Sequence, residues 1–291
     1  MWDTRALTAD VPADAARAYE QQVVAAGAAP RADTPWGRAV AGAAQSIGIA
    51  VCVVFALFFG LSIILSVLRG AYASAFGNVL VFAVLCAAGA VLVVRSARGR
   101  DSGSRWYRLA AFARTNGFAY APVAEPPVAG VLVAHPQTGE LTDLVIIPAP
   151  VHAHIANYTF RDLDFSDRSI RTSGYVATPL GTDRPHVLLR ANRSRLSLPG
   201  RRWRRVDTGS RMPRGFALYT PPGTPRAMPL TYPCALATTL NSAPFPIEIA
   251  EIRGRWLLLG IREPVSTLDP DRWLRLQHFL PALRAVDENL T

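Results

Sequence analysis

The chain of 291 residues contains no lysine, so all 31 of its basic residues are arginine. That absence removes several chemistries at once. A Walker A phosphate loop, a Schiff-base amine, a kinase strand lysine and a Ser-x-x-Lys pair each need an amine that this chain does not have. Cysteine is nearly as scarce: Cys52, Cys86 and Cys234 are the three present. They form no Cys-x-x-Cys pair and no even framework. Structural zinc and a disulfide scaffold are therefore excluded, in agreement with a reducing compartment. Cys234 reads as a small core residue. There is no Gly-x-Ser-x-Gly elbow, no Gly-x-Gly-x-x-Gly turn, no His-Glu-x-x-His pair and no EF-hand loop. No cofactor is expected.

Charge is scarce as well. Charged residues make up 18% of the chain, against about 25% in an ordinary soluble domain. Half of the residues are apolar and the mean hydropathy is +0.18. The deficit is local. No charged residue lies between Arg38 and Arg69, where an apolar core covers 47–68, or between Arg69 and Arg95, where one covers 75–94. About 22 helical residues rise about 33 Å, enough for a hydrocarbon core of about 30 Å. Two adjacent runs of this kind predict a two-helix transmembrane hairpin. Arg31, Arg38, Arg95, Arg98, Arg100, Arg105 and Arg108 flank the spans, and Arg69 alone lies in the loop. The positive-inside rule then places both termini in the cytoplasm and the chain in the inner membrane as a two-pass protein. Trp36, Trp106 and Tyr107 fit interfacial anchors. The first run starts too far from Met1, and is too long, for a cleavable signal peptide. No Asp, Glu, His or Arg lies inside either run, which argues against a transporter or pump.

The organisation expected from this reading has six parts. A tail over 1–38 carries a short helix. Transmembrane helices follow over 39–68 and 75–94, joined by an external loop at 69–74. A linker over 95–104 leads into a cytoplasmic domain over 105–291. That domain reads as α+β and mainly antiparallel. Trp106, Leu109, Phe112 and Ala113 recur at helical spacing up to Gly117, a suitable C-cap. Strand-like runs cover 118–122, 130–134, 142–147, 154–161, 170–177, 186–191 and 216–220. Arg253-Gly254 sits between two apolar runs and reads as a hairpin turn. One helix starts near Pro233. Another starts at Asp269-Pro270 and carries Trp273, Leu274, Leu276 and Phe279. Pro281 should break or kink it.

The most distinctive stretch is 190–214. It holds Arg190, Arg193, Arg195, Arg201, Arg202, Arg204, Arg205, Arg211 and Arg214, with Trp203 among them and Asp207 the only acid. Guanidinium forks bind phosphate and carboxylate oxygens in pairs. Beside a membrane, such a patch would meet anionic lipid headgroups, and a tryptophan among arginines suits an interface. A protein partner is the other expectation; nucleic acid is not favoured. His152 and His154 are two residues apart and would share a face if both lay on a strand, so they could share a metal ion. Asp162, Asp164 and Asp167 are the carboxylates nearest them in sequence.

Several short segments resemble a family of bacterial two-span membrane proteins with a cytoplasmic C-terminal domain of unknown function. They are Asn157-Tyr158, Pro185-His186-Val187-Leu188-Leu189, Phe216-Ala217-Leu218-Tyr219-Thr220-Pro221, and Ile247-Glu248-Ile249 followed by Trp256-Leu257-Leu258. The resemblance would run from the spans to about residue 262. It implies the same architecture and no catalytic residues. The expected function is a membrane-anchored, non-enzymatic module whose arginine-rich loop binds anionic headgroups or a protein partner. The alternatives are a tethered enzyme acting on a phosphorylated or lipid substrate, and an assembly scaffold.

Overall fold

The computed structural model describes residues 1–30, 102–128, 130–131, 139–161, 170–194, 203–224 and 229–289, with single positions at 58, 61, 62, 68, 79 and 83. The chain divides into two compact units, Met1–Ala28 with Arg105–Thr291, and Ala29–Ser104. The first holds every feature discussed below. Its helices are α1 (Arg5–Thr8), α2 (Ala13–Ala25), α4 (Thr231–Asn241) and α5 (Pro270–Glu288); α3 (Ser102–Thr115) begins just before it. The strands are β1 (Ala119–Ala124), β2 (Gly139–Ile147), β3 (Ala153–Arg161), β4 (Ile170–Ala191), β5 (Arg204–Arg205), β6 (Phe216–Thr220) and β7 (Ile247–Ile261).

All seven strands form one antiparallel sheet in the order β1-β2-β3-β4-β6-β5, with β7 paired to β4. The path of β7 explains that branch. Fifteen extended residues would hold its ends about 50 Å apart. Yet the Arg262 N–H, just beyond one end, donates to the Pro246 carbonyl, just before the other, at 3.0 Å. The element therefore folds back on itself, and its turn is at Gly254, which has φ +59°. The left-handed backbone there is one that glycine adopts without a Cβ penalty. β4 wraps around this tip. Its first arm pairs Gly174–Pro179 with Ile261–Trp256, and its second pairs Val187–Arg190 with Ile252–Ile249. Leu180 to Pro185 arch past Gly254 between the arms. The sheet thus runs β1, β2, β3, first arm of β4, both arms of β7, second arm of β4, β6, β5. The arch is fastened to α5: the buried Asp287 carboxylate accepts from the Gly181 N–H at 2.5 Å and from Arg184 at 3.1 Å.

Alternation along the strands sends residues to two different cores. Val176, Leu189, Leu218, Leu257 and Leu259 face the helices and pack with Leu7, Phe112, Leu236, Trp273 and Leu276. Tyr175, Ala177, Leu188, Ile249 and Leu258 face the other way and pack with Leu141, Leu144 and Tyr158. Val128, Val131, Trp203 and Trp256 cover this second face in part. α5 starts where the sequence places it. Asp269 caps it by accepting from the Asp271 N–H at 3.0 Å, and proline fills the first position. The helix then runs through Pro281 to Glu288. Pro281 is exposed, so its ring and missing N–H fall on the solvent side.

The expected transmembrane hairpin is not part of this fold. Among the described residues no helix is long and apolar enough to cross a membrane. The longest described, α5, carries Asp271, Arg272, Arg275, Arg284, Asp287 and Glu288. Each charge at the centre of a span costs about 2.5–3.5 kcal/mol. The intervals 47–68 and 75–94 lie outside the described residues apart from the single positions named above. An uncharged run shows that a segment tolerates loss of water; it does not specify lipid as the replacement. The fold class is corrected to a mainly antiparallel seven-stranded sheet with few helices. The two-pass inner-membrane placement, with cytoplasmic termini and a cytoplasmic domain, rested on the two spans and is withdrawn with them.

Candidate functional site

The arginine-rich stretch becomes an edge of the sheet. Arg195, Arg201 and Arg202 lie outside the described residues. Arg190, half-buried near the end of β4, donates to the Ser194 carbonyl at 3.2 Å. The Arg193 carbonyl accepts from Arg262 at 3.0 Å, and Arg262 also donates to the buried Glu248 at 2.9 Å. Trp203 does not project as an interfacial aromatic. It packs edge-on against His186, with centroids 5.1 Å apart and planes at 88°. This seats the two-residue β5 against β6, where Arg204 pairs with Thr220 and Arg205 with Tyr219. Beyond Arg205 the chain leaves β6 after one more bond, from the Val206 N–H to the Leu218 carbonyl at 2.9 Å.

That divergence opens a cleft of about 390 Å³ lined by Arg205 to Gly209 on one side and Phe216 to Leu218 on the other. Asp207 is the one acid in its lining, and its Oδ1 accepts from the Gly209 N–H at 3.0 Å. Arg211 and Arg214 are exposed on the segment that joins the two walls. The Arg214 carbonyl is held by Asn241 at 2.9 Å. Arg204 reaches the Thr224 carbonyl at 3.3 Å. Among the described residues no acid pairs with Arg193, Arg204, Arg205, Arg211 or Arg214. Of these, Arg205 lines the cleft, and Arg204, Arg211 and Arg214 are exposed on the strand and segment that bound it.

Beneath Trp203 lies a buried acid that sequence reasoning passed over. Glu251 is 0% exposed. One of its oxygens meets His186 Nε2 at 2.8 Å, and the other accepts from the Val131 N–H at 2.5 Å. The approach is close enough that a Cβ on Gly130 would stand 2.5 Å from Oε2, so glycine is required there. The Tyr175 hydroxyl is buried nearby, without a hydrogen-bond partner among the described residues. Burial first, and then the Glu251 charge, push that phenol well above its ordinary range. The cluster clamps Gly130 and Val131 over the second core and supports the ring that seats β5.

No protein-family model matches the chain, and no curated protein matches it. Among solved structures, the chain is similar to the crystal structure of the mycobacterial trehalose monomycolate transport factor A. The match has 15% identity and a TM-score of 0.39, and covers 61% of this chain and 91% of that one. Likeness at this level carries no argument about the present chain.

Asn157 serves the fold. Its side-chain oxygen accepts from the Val265 and Ser266 N–H groups at 2.9 and 3.1 Å, and its amide donates to the Ser266 carbonyl at 2.7 Å. Asp143, also buried, is bound by Arg105 and accepts from the Tyr120 hydroxyl at 3.1 Å. Ser266 closes the network by donating to the Asp143 carbonyl at 2.6 Å.

His152 and His154 stand side by side, with ring centroids 5.7 Å apart. Asp162, Asp164 and Asp167 lie outside the described residues. No group of three His, Cys, Asp or Glu side chains that could hold a metal occurs among the described residues. Partial burial, and then the neighbouring His152, hold the His154 imidazole below its ordinary value. The unfolded chain therefore binds a proton near pH 6.5, and the folded chain only at lower pH. Stability is full above about pH 6.5 and falls as pH drops through and below that value. His154→Gln is expected to flatten the stability profile between about pH 7 and pH 5, read as urea midpoints. Equal slopes in both proteins would show that folding does not keep His154 neutral.

Proposed function

We propose that the chain is a non-catalytic binding module that holds a protruding anionic group, a phosphate or carboxylate, at the β5–β6 edge. The observation that carries this reading is the cleft of about 390 Å³ lined by Arg205, with Arg204, Arg211 and Arg214 exposed on the strand and segment that bound it. None of these guanidinium groups is neutralised by an acid among the described residues. Hydrogen bonds to charged groups contribute about 1.5–3 kcal/mol each. A concave site favours a group that projects into it, because a flat surface touches only the rim. Trp203 has a positioning role here, since its contact with His186 seats β5.

The test uses the full chain and three probes: inorganic pyrophosphate, vesicles containing anionic lipid, and a glutamate-rich peptide. At least one should bind, with affinity falling as salt rises. Replacing Arg204, Arg205, Arg211 and Arg214 together by glutamine should weaken that binding about tenfold or more. The probe that binds identifies the carrier of the anion. Binding of none, or equal binding by the quadruple variant, would overturn the reading.

A further inference from the structure

We propose that His152 and His154 form a two-imidazole site for a borderline divalent metal ion of the copper, nickel or zinc kind, walled by Trp256. The ring centroids are 5.7 Å apart and the planes are inclined by 38°. Imidazole nitrogen binds such metals at about 2.0–2.1 Å, which puts each ring centroid about 3.2 Å from the metal. Two rings bound to one ion can thus stand up to about 6.4 Å apart, and the observed separation corresponds to an angle of about 125° at the metal. Neither imidazole makes a hydrogen bond or ion pair to protein among the described residues. His186, by contrast, is committed to Glu251.

The backbone supplies a second, independent observation. His152 has φ +29°, a region that residues with a Cβ avoid. It is held there from both sides. Its N–H donates to the Pro148 carbonyl at 3.1 Å, and its own carbonyl accepts from the Thr178 hydroxyl at 3.0 Å. This anchored turn brings the His152 ring beside His154, the second residue of β3. Backbone held against its preference clusters where a side chain must be aimed. The Trp256 ring stands nearly perpendicular to both, 5.4 Å from His154 and 6.4 Å from His152. It walls one side of the pair, and among the described residues no third His, Cys, Asp or Glu completes the coordination. Among the described residues the donor set is imidazole without thiolate or carboxylate, which suits copper, nickel and zinc, with Cu²⁺ held most tightly.

The full chain is titrated with Cu²⁺, followed by calorimetry and by tryptophan fluorescence. One ion should bind with quenching of the indole beside the site. His152→Asn keeps a residue that tolerates positive φ, and His154→Gln keeps a polar side chain of similar reach. Each should weaken Cu²⁺ binding about tenfold or more, with melting in chelator at about pH 8, above the range where His154 affects stability, unchanged. Trp256→Phe should abolish most of the quenching while the calorimetric affinity stays within about threefold. Equal affinity and stoichiometry in the wild-type chain and the double histidine variant would overturn the proposal. So would quenching that survives in Trp256→Phe, because the ion would then sit elsewhere.

Discussion

Replacing Trp273 with alanine is expected to destabilise the protein by about 3–5 kcal/mol. Trp273 is 0% exposed and lies on the inner face of α5. Its ring meets Phe112 of α3 at 4.6 Å and Trp2 at 6.3 Å between centroids, and its indole N–H donates to the Thr267 carbonyl at 2.8 Å. The substitution removes the apolar area, leaves a cavity between two helices and the sheet, and strands a carbonyl. The N-terminus should loosen as well, since Trp2 loses its contact with Trp273 and keeps that with Phe118 at 5.4 Å. Total stabilities are about 5–15 kcal/mol, so this one change removes a large share. Urea unfolding should show a lowered midpoint with the slope unchanged. A loss below about 1 kcal/mol would mean that α5 is not docked through this residue.

Trp273 was also among the most legible positions in the chain. Its helix is signalled locally, by an Asp-Pro start and by apolar residues at 3.6-residue spacing, and local signals survive folding. The Arg253-Gly254 turn was legible for the same reason. That β4 arches around that turn was not, because its two arms read as separate strands and their pairing with β7 spans up to 87 residues, as between Gly174 and Ile261. The arginine stretch was visible as composition. The divergence of the chain from β6 that gives it a cleft, and the packing of Trp203 on His186, depend on contacts that no local pattern encodes. The membrane reading went wrong where uncharged length was taken to identify the surrounding medium. Glu251 was hidden for a different reason. In the run Ile247-Glu248-Ile249-Ala250-Glu251-Ile252, Glu248 and Glu251 fall on opposite faces of the strand, and nothing local in that pattern signals that either is buried. The sheet buries both faces of β7, and Glu248 and Glu251 find partners there.

Glu251→Ala tests that burial and should cost about 3–5 kcal/mol, because the buried carboxylate makes two hydrogen bonds that contribute about 1.5–3 kcal/mol each. His186 would lose its carboxylate, and the Val131 N–H would lose its acceptor. The vacated space lies directly against Gly130, where a Cβ now meets Glu251 Oε2 at 2.5 Å and Leu258 Cδ1 at 2.6 Å. Two further variants separate charge from shape. Glu251→Gln keeps an oxygen for Val131 and should cost less than alanine. Gly130→Ala should be destabilising alone and less so in the Glu251→Ala background, because half of its clash is gone; the double-mutant cycle reads the coupling. Hydrogen exchange at Val131 should rise in Glu251→Ala by more than global destabilisation explains, since the clamp on Val131 is local. The effect should also reach the arginine edge: with His186 unbraced, Trp203 loses its seat and β5 its hold on β6. Anion binding that weakens in Glu251→Ala, although the substituted side chain is fully buried, would connect the second core to the cleft. Unchanged Val131 exchange and unchanged binding would show instead that Val131 and β5 are held by packing alone.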